Sequence, residues 1–301
     1  MRRSGAFFII VLLMFCTQAL FAGDSTETTT ATTAVTTAAA TPDAQPADTA
    51  SAKPAAKAHV AEAPVFSINQ VEVLYTGLAK PDAVFGYGTP SKDLLTFQFE
   101  HFSFHRWGDI YVDAEVYQGR QVGAPFSVDN NWQSLLVFNP RMSLSKVTKK
   151  KFAWGPISDV TIATRFERES YPDTNHFWTR NFGPSLNFKV PGFAYFESGL
   201  LARYDNINKK NTWLWRSVVL SNAWKIEGEK FHFNVLSLIN GTRGNGTSVF
   251  ERADLLWEVH NYGRVQLGTR LEVENYSNDP LSVEGSRYKR VMPEVMAKYI
   301  F

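Results

Sequence analysis

The sequence predicts an all-β fold: a twelve-stranded antiparallel transmembrane β-barrel with a disordered N-terminal tether. Two observations predict it. From position 66 onward the chain alternates between apolar and polar side chains, and the last such segment ends at Phe301. In that segment apolar side chains fill every second position from 291 to 299, whereas Glu294 and Lys298 occupy the other face. Because a bilayer accepts a sheet only when no edge is left unpaired, this pattern favours a closed barrel.

The start of the chain, residues 1–22, has the pattern of a secretory signal peptide. Two arginines precede an apolar run from Ala6 to Phe15, and small residues follow up to Ala22, after which we expect cleavage. The single cysteine of the sequence, Cys16, would leave with the signal. The mature chain is therefore expected to contain no disulfide.

Residues 23–65 consist almost entirely of Thr, Ala, Pro, Ser and Asp. Such a composition cannot bury an apolar core, so we predict a disordered tether in the periplasm. As a flexible coil it would have a root-mean-square span of about 35 Å. The barrel itself is predicted to occupy residues 66–301.

The barrel segments are about ten or more residues long and are separated by turn residues. An even number is typical of a single-chain bacterial barrel with both ends on one side. The twelve predicted strands are 66–79, 93–104, 108–118, 133–145, 157–168, 175–189, 194–204, 212–226, 230–240, 249–259, 262–274 and 287–301.

The segment 108–118 shows how the faces are assigned. Ile110 and Val112 are predicted to face lipid, whereas Asp109 and Tyr111 are predicted to face the lumen. In a twelve-stranded barrel the lumen is narrow, so side chains from opposite walls should nearly meet. The predicted lumen carries both signs of charge: Glu100, Asp109, Tyr111, Asp113, Glu115, Arg141, Arg165, Glu167, Glu197, Arg203, Arg216, Arg252, Asp254, Glu258, Arg264, Arg270 and Glu272.

The connections between predicted strands alternate in length. Long ones, such as 80–92, 119–132 and 275–286, are expected outside the cell, and tight ones, such as those at Pro191 and Gly228, in the periplasm. One periplasmic connection, 146–156, is longer than this rule predicts. The long external connections keep open a second function, in which the barrel is a receptor or adhesion surface for phage or host partners without selective transport.

Several other function classes are disfavoured. A net charge of +2 without a basic stripe disfavours nucleic acid as a partner, and the dispersed histidines offer no metal site. We therefore expect no cofactor. His101 and Ser103 share one strand face, but the sequence gives no third catalytic partner, so we expect no enzyme activity.

Two sequence blocks resemble a known family. One contains residues 96–102 (TFQFEHF) followed by 107–111 (WGDIY); the other contains residues 140–146 (PRMSLSK) with Gly155 and Pro156 downstream. Both are similar to motifs of the Tsx family of nucleoside-specific outer-membrane channels, including its OmpK-type relatives. The resemblance implies a monomeric barrel in the bacterial outer membrane, with membrane lipid around it and nucleosides diffusing through it.

The residues themselves suggest where such a solute would bind. Aromatic rings can stack on a heterocyclic base, and carboxylates can accept hydrogen bonds from sugar hydroxyls. Both kinds of side chain share the inward face of the second and third predicted strands. The predicted solute path contains Glu100, Phe102, Asp109, Tyr111 and Arg141 in strands and Phe85 in an external connection.

Overall fold

The computed structural model describes residues 64–79, 92–120, 122, 131–170, 176–206, 209, 211–241, 247–259, 263–276 and 288–301. The predicted signal peptide and tether lie outside these residues and stay predictions. Among the described residues, no helix has the length and apolar character needed to span a bilayer.

The described residues form thirteen β-strands and one short helix. The strands are β1 (Phe66–Thr76), β2 (Leu94–Phe104), β3 (Gly108–Gly119), β4 (Trp132–Ser143), β5 (Ile157–Ser170), β6 (His176–Phe188), β7 (Phe193–Asp205), β8 (Asn211–Ser221), β9 (Trp224–Ile226), β10 (Glu229–Gly241), β11 (Thr247–Glu258), β12 (Val265–Tyr276) and β13 (Tyr288–Ile300). The helix is α1 (Leu144–Thr148).

The sheet closes on itself, and every strand pairing is antiparallel. β1 pairs with β13, and the remaining neighbours follow in chain order around the ring. β8 and β9 both pair with β10, so they are two parts of one wall strand interrupted at residues 222–223. At this interruption the backbone N–H of Phe233 donates to the Ser221 hydroxyl at 2.7 Å. The wall therefore has twelve strands, which confirms the predicted fold.

The two faces of the wall differ as the alternation predicts. In β13, the side chain of Val295 is 59% exposed on the outer face, whereas its neighbour Glu294 is 4% exposed on the inner face. β3 repeats the pattern, with Val116 exposed and Glu115 buried. A closed barrel with an apolar exterior and a polar interior is the form in which a sheet spans a membrane. The protein is an integral β-barrel of the bacterial outer membrane.

Aromatic side chains mark both borders of the apolar exterior. Trp132, Trp178 and Trp213 lie near the end of the barrel that carries the longer connections, while Trp257 and Tyr299 lie near the end at which β1 begins. Such girdles form where the ring contacts hydrocarbon and its polar atom contacts the headgroups. Because the longer connections of outer-membrane barrels are external, we assign the first end to the cell surface.

The long periplasmic connection, 144–156, contains the helix α1. Ser143 caps it by accepting a hydrogen bond from the Lys146 backbone N–H at 3.1 Å, and Lys149 ends it with a φ of 57°. The hydroxyl of Ser145 then accepts from the Phe152 N–H at 3.1 Å, which holds the following residues close to the helix. This local hydrogen bonding explains why the connection exceeds the usual length.

One row of polar residues crosses the lipid-facing surface. Ser198, Ser217, Ser237 and Glu251 lie directly opposite one another on β7, β8, β10 and β11. The indole N–H of Trp215 donates to the Ser198 hydroxyl at 3.0 Å. In contrast, the Oε1 atom of Glu251 has no hydrogen-bond partner among the described residues. A buried carboxylate oxygen without a hydrogen-bond partner is expected to lower stability.

Replacing Glu251 by Leu should therefore stabilise the barrel. We expect Glu251→Leu to raise the free energy of unfolding by about 1–2 kcal/mol, because it removes a polar group and adds apolar area in contact with lipid. Reversible urea unfolding in phospholipid bilayers measures this change. Glu229→Leu is the control, since the Glu229 carboxylate accepts from the Trp257 indole at 2.7 Å and its loss should give no gain. A lower unfolding free energy for Glu251→Leu would contradict the expectation.

Candidate functional site

Apolar side chains fill two parts of the lumen, one toward the extracellular end and one at the level of Arg216, which lies opposite Leu238. One cluster joins Leu94, Tyr117 and Met292, and a second joins Leu201 and Leu214 with Ala163 and Leu238. These residues occupy the same alternate positions as the luminal charges of their strands, so they face inward. A water-filled pore would leave such side chains exposed, yet Leu214 is 0% and Leu201 is 2% exposed.

An ion pair spans the lumen at mid-height. The guanidinium of Arg252 on β11 donates to both carboxylate oxygens of Glu115 on β3, at 2.9 and 3.2 Å. Four strands lie between these two along the shorter way around the ring, so the pair joins nearly opposite walls. Arg252 also donates to Glu272 on the adjacent strand at 2.8 Å. The prediction that side chains meet across the lumen is confirmed.

A second guanidinium extends this network toward the other wall. Arg270 on β12 contacts Asp254 at 2.7 Å, Glu72 on β1 at 2.8 Å and Gln98 on β2 at 2.7 Å. We call Glu72, Gln98, Glu115, Arg252 and Arg270 the charged layer. Its members are at most 8% exposed. The free-energy cost of burying these ions is offset by their multiple hydrogen bonds. Removing one partner would therefore leave a buried charge without compensation, which lowers stability.

Below the charged layer, the periplasmic half of the lumen contains a cavity of about 440 Å³, which we call the vestibule. Phe66 and Leu220 line it near the periplasmic end and are 51% and 40% exposed, so solvent reaches it from that side. Other lining side chains are Glu100, Phe102, Phe104, Tyr111, Arg141, Tyr195, Arg216, His232 and Lys298. The volume lies within the range of small-molecule sites.

Aromatic rings from opposite walls approach each other in the vestibule. The centroids of Phe102 on β2 and Tyr195 on β7 are 6.3 Å apart with an interplanar angle of 66°. Four strands separate β2 from β7 along the shorter way. Phe104 adds an edge contact to Phe102 at 4.7 Å. The rings therefore form an apolar constriction below the charged layer.

Two arginines share one carboxylate on the wall beside these rings. Arg141 lies 2.7 Å from Glu197 and 2.6 Å from Asp109, and its guanidinium carbon is 5.0 Å from the centre of the Tyr195 ring. Arg216 contacts the same Glu197 at 2.6 Å. Its Nε atom is buried without a hydrogen-bond partner among the described residues. Both arginines line the vestibule, so guanidinium groups border the cavity on this wall.

An acceptor lies on the other side. The carboxylate of Glu100 accepts hydrogen bonds from the Tyr111 hydroxyl and the Gln70 amide, and Lys298 Nζ lies 4.0 Å away. The shorter contact of Lys298 Nζ is with the Glu72 carboxylate, at 2.9 Å. Donor, acceptor and aromatic groups thus face one cavity.

The structure brings most of the predicted path residues together. Glu100, Phe102, Tyr111 and Arg141 all line the vestibule, and Asp109 lies behind Arg141 as its ion-pair partner. The sixth predicted residue, Phe85, lies outside the described residues. That these side chains bind a solute stays a prediction.

Sequence reasoning missed Tyr195. Tyr195 precedes Glu197 by two positions, so the alternation that assigned Glu197 to the lumen could have found it. Arg264, which was predicted to face the lumen, precedes β12 and is exposed, and its carbonyl accepts from the Ile300 N–H at 2.8 Å. Its position in the lumen stays a prediction.

His101 and Ser103, which the sequence places on one strand face, each contact a different residue. The Ser103 hydroxyl contacts His105 Nε2 at 3.0 Å, while His101 Nδ1 contacts the Asn69 amide oxygen at 2.7 Å. Ser103 is 2% exposed, so a lipid ester could not reach its oxygen without rearrangement. These contacts are those of a satisfied polar cluster at the periplasmic end of β2.

Among the comparisons with known proteins, the comparison with solved structures gave matches. No family model and no curated protein matches the chain. A KdgM porin in complex with disordered oligogalacturonate is 10% identical, with a TM-score of 0.39, and the match covers 78% of this chain and 99% of that one. A KdgM porin structure is 9% identical (TM-score 0.37, 78% and 99% covered), as is a bacterial polysaccharide outer membrane secretin (0.37, 80% and 100%). Likeness at this level carries no information about what the chain binds.

Removing the lumen-spanning ion pair should widen the lumen. We expect the double variant Glu115→Ala/Arg252→Ala to raise single-channel conductance several-fold in planar bilayers, because it removes both side chains that join opposite walls. The double change removes the Glu115 carboxylate that Arg252→Ala alone would leave without its partner, and Glu272 keeps a contact with Arg290 at 3.7 Å.

The control for this widening is Arg290→Gln. It removes a luminal charge whose contacts to Glu272 and Glu274 lie on the adjacent strand β12. Its conductance should stay near that of the unaltered protein. Unchanged conductance in a folded double variant would show that the pair does not limit the lumen.

Proposed function

We propose that the barrel is a low-conductance outer-membrane channel for small polar solutes, and that nucleosides are the solute class it fits best. One observation carries the proposal: the vestibule combines facing aromatic rings with a carboxylate and a guanidinium around a cavity of about 440 Å³. A nucleoside presents a flat base and a hydroxylated sugar, which need these groups. The resemblance of two sequence blocks to nucleoside channels supports the same class.

A nucleoside can engage both sides of the vestibule at once. Its base would stack against Phe102 or Tyr195, which contributes roughly 1–3 kcal/mol per base on protein aromatics. Its sugar hydroxyls would donate to Glu100, and acceptor atoms of the base would lie beside the guanidinium groups of Arg141 and Arg216, which line the vestibule. Each contact is modest, so a bound solute can also leave, as passage requires.

The charged layer would determine which solutes pass from the vestibule into the rest of the lumen. A ring of one sign would favour ions of the other, whereas the interleaved charges of Glu115, Arg252 and Arg270 favour neutral polar solutes. Such a solute would replace ion-pair hydrogen bonds with its own as it passes. Because the charges are held by several partners each, openings are expected to be brief and conductance low.

Electrophysiology with solute controls tests the function. In planar bilayers we expect small discrete conductance steps that nucleosides reduce in a concentration-dependent way. Liposome swelling should be faster with adenosine than with a sugar of similar size. Equal swelling rates would reject a selective path, and the absence of conductance would reject a channel.

The aromatic contribution can be measured by substitution. Tyr195→Leu and Phe102→Leu should each weaken nucleoside block about fivefold or more, the equivalent of losing about 1 kcal/mol of stacking. Phe99→Leu is the matched control, because Phe99 lies on the same strand as Phe102 but is 38% exposed to lipid. Equal effects of all three variants would argue that stacking in the vestibule plays no part.

A second function is favoured by the filled middle of the lumen. If the charged layer does not open, the barrel would act as a membrane anchor whose external connections contact phage or host partners. Most of those connections lie outside the described residues. The conductance measurement separates the two functions, because only the channel passes current.

A further inference from the structure

A groove lies on the outer surface of the barrel, apart from the lumen. It has a volume of about 480 Å³ and runs across β4, β5 and β6. Leu136, Phe138 and Phe166 form its apolar floor, and each is more than 40% exposed. A concave surface of this kind on a lipid-facing wall is suited to hold a lipid chain.

Two exposed arginines border the groove. Arg168 on β5 lies directly opposite Trp178 on β6, and Arg180 follows Trp178 by two positions on the same face. Such diagonal neighbours have backbones roughly 7–8 Å apart, so their long side chains can converge on one anion. The guanidinium of Arg180 lies 4.6 Å from the centre of the Trp178 ring.

No carboxylate among the described residues neutralises these two cations. Glu167 contributes to the groove wall, but its carboxylate faces the lumen, where it contacts Arg165 at 2.5 Å and accepts from the Thr179 hydroxyl at 2.7 Å. Asn206, at the rim, accepts from the Trp178 backbone N–H at 2.9 Å. The groove is therefore apolar along its floor and positive at its rim.

The level of the arginines identifies the leaflet. Arg168 lies two positions before the end of β5 and Arg180 four positions after the start of β6, at the end assigned to the cell surface. Trp178 and Tyr204, whose ring centres are 5.7 Å apart, belong to the aromatic girdle at this level. An arginine on a lipid face costs up to several kcal/mol at the membrane midplane but little near the interface. The guanidinium groups thus lie among the headgroups of the outer leaflet.

We propose that this groove binds a phosphorylated glycolipid of the outer leaflet. Its phosphate lies between Arg168 and Arg180, and one acyl chain follows the floor of Leu136, Phe138 and Phe166. Guanidinium groups bind phosphate with paired, charge-assisted hydrogen bonds, which a single surface cation cannot match. A second copy of the barrel is a poorer occupant, because a two-fold contact at this rim would bring like charges together.

Native mass spectrometry of the full mature chain in detergent tests the proposal, with purified lipid A as the probe. We expect one lipid A to stay bound. Arg168→Gln/Arg180→Gln should lower its affinity about tenfold or more, and Arg168→Lys/Arg180→Lys should lie between, since lysine keeps the charge without the paired donors. Heat-modifiable migration on gels verifies that each variant is folded.

Two controls make the result decisive. Lys289→Gln removes another exposed cation near the same end of the barrel, on β13, and should leave binding unchanged. Dephosphorylated lipid A should bind at least about tenfold more weakly to the unaltered protein. Equal losses from Lys289→Gln and the arginine variant, equal binding of the dephosphorylated lipid, or equal binding of phosphatidylglycerol would each overturn the proposal. If the unaltered protein forms dimers that the arginine variant abolishes, the groove is a contact between copies of the barrel, and the proposal would be overturned.

Discussion

The need to pair every backbone N–H and C=O inside lipid is the constraint on which the structure depends. It requires β1 to pair with β13, and it requires β8 and β9 to share the edge of β10 although two residues interrupt them. Once the ring is closed, successive side chains of a strand face lipid and lumen alternately. The charged layer, the vestibule and the external groove are all consequences of that division.

Closure around twelve strands leaves a lumen too narrow to hold charged side chains in bulk water. Luminal ions are therefore held by other side chains of the lumen. Arg252 contacts two carboxylates, those of Glu115 and Glu272. Arg270 contacts the carboxylates of Glu72 and Asp254 and the amide of Gln98. The same crowding places Phe102 against Tyr195. The barrel is thus held together across its interior as well as around its perimeter, and a solute path must pass through side chains that also support the wall.

The sequence was sufficient to predict features that depend on period and local pattern. Strand number, the inward face of Glu115 and the outward face of Val116 follow from alternation alone, because the period of a strand is two. The sequence did not predict contacts between strands that are distant in the chain. Nothing local indicates that Arg252 meets Glu115, since that depends on the shear of the closed ring and the size of the residues between. The helix α1 was missed for another reason: it is a single turn set by Ser143 and Lys149, too short for helical periodicity to appear.

The break between β8 and β9 affects how the wall of the barrel can move. At this break the Phe233 N–H donates to a serine hydroxyl, which belongs to a side chain that can rotate. Leu220 and Ser221, next to this break, also line the vestibule. Small movements of the backbone at this break would therefore change the width of the vestibule while the charged layer above keeps its shape.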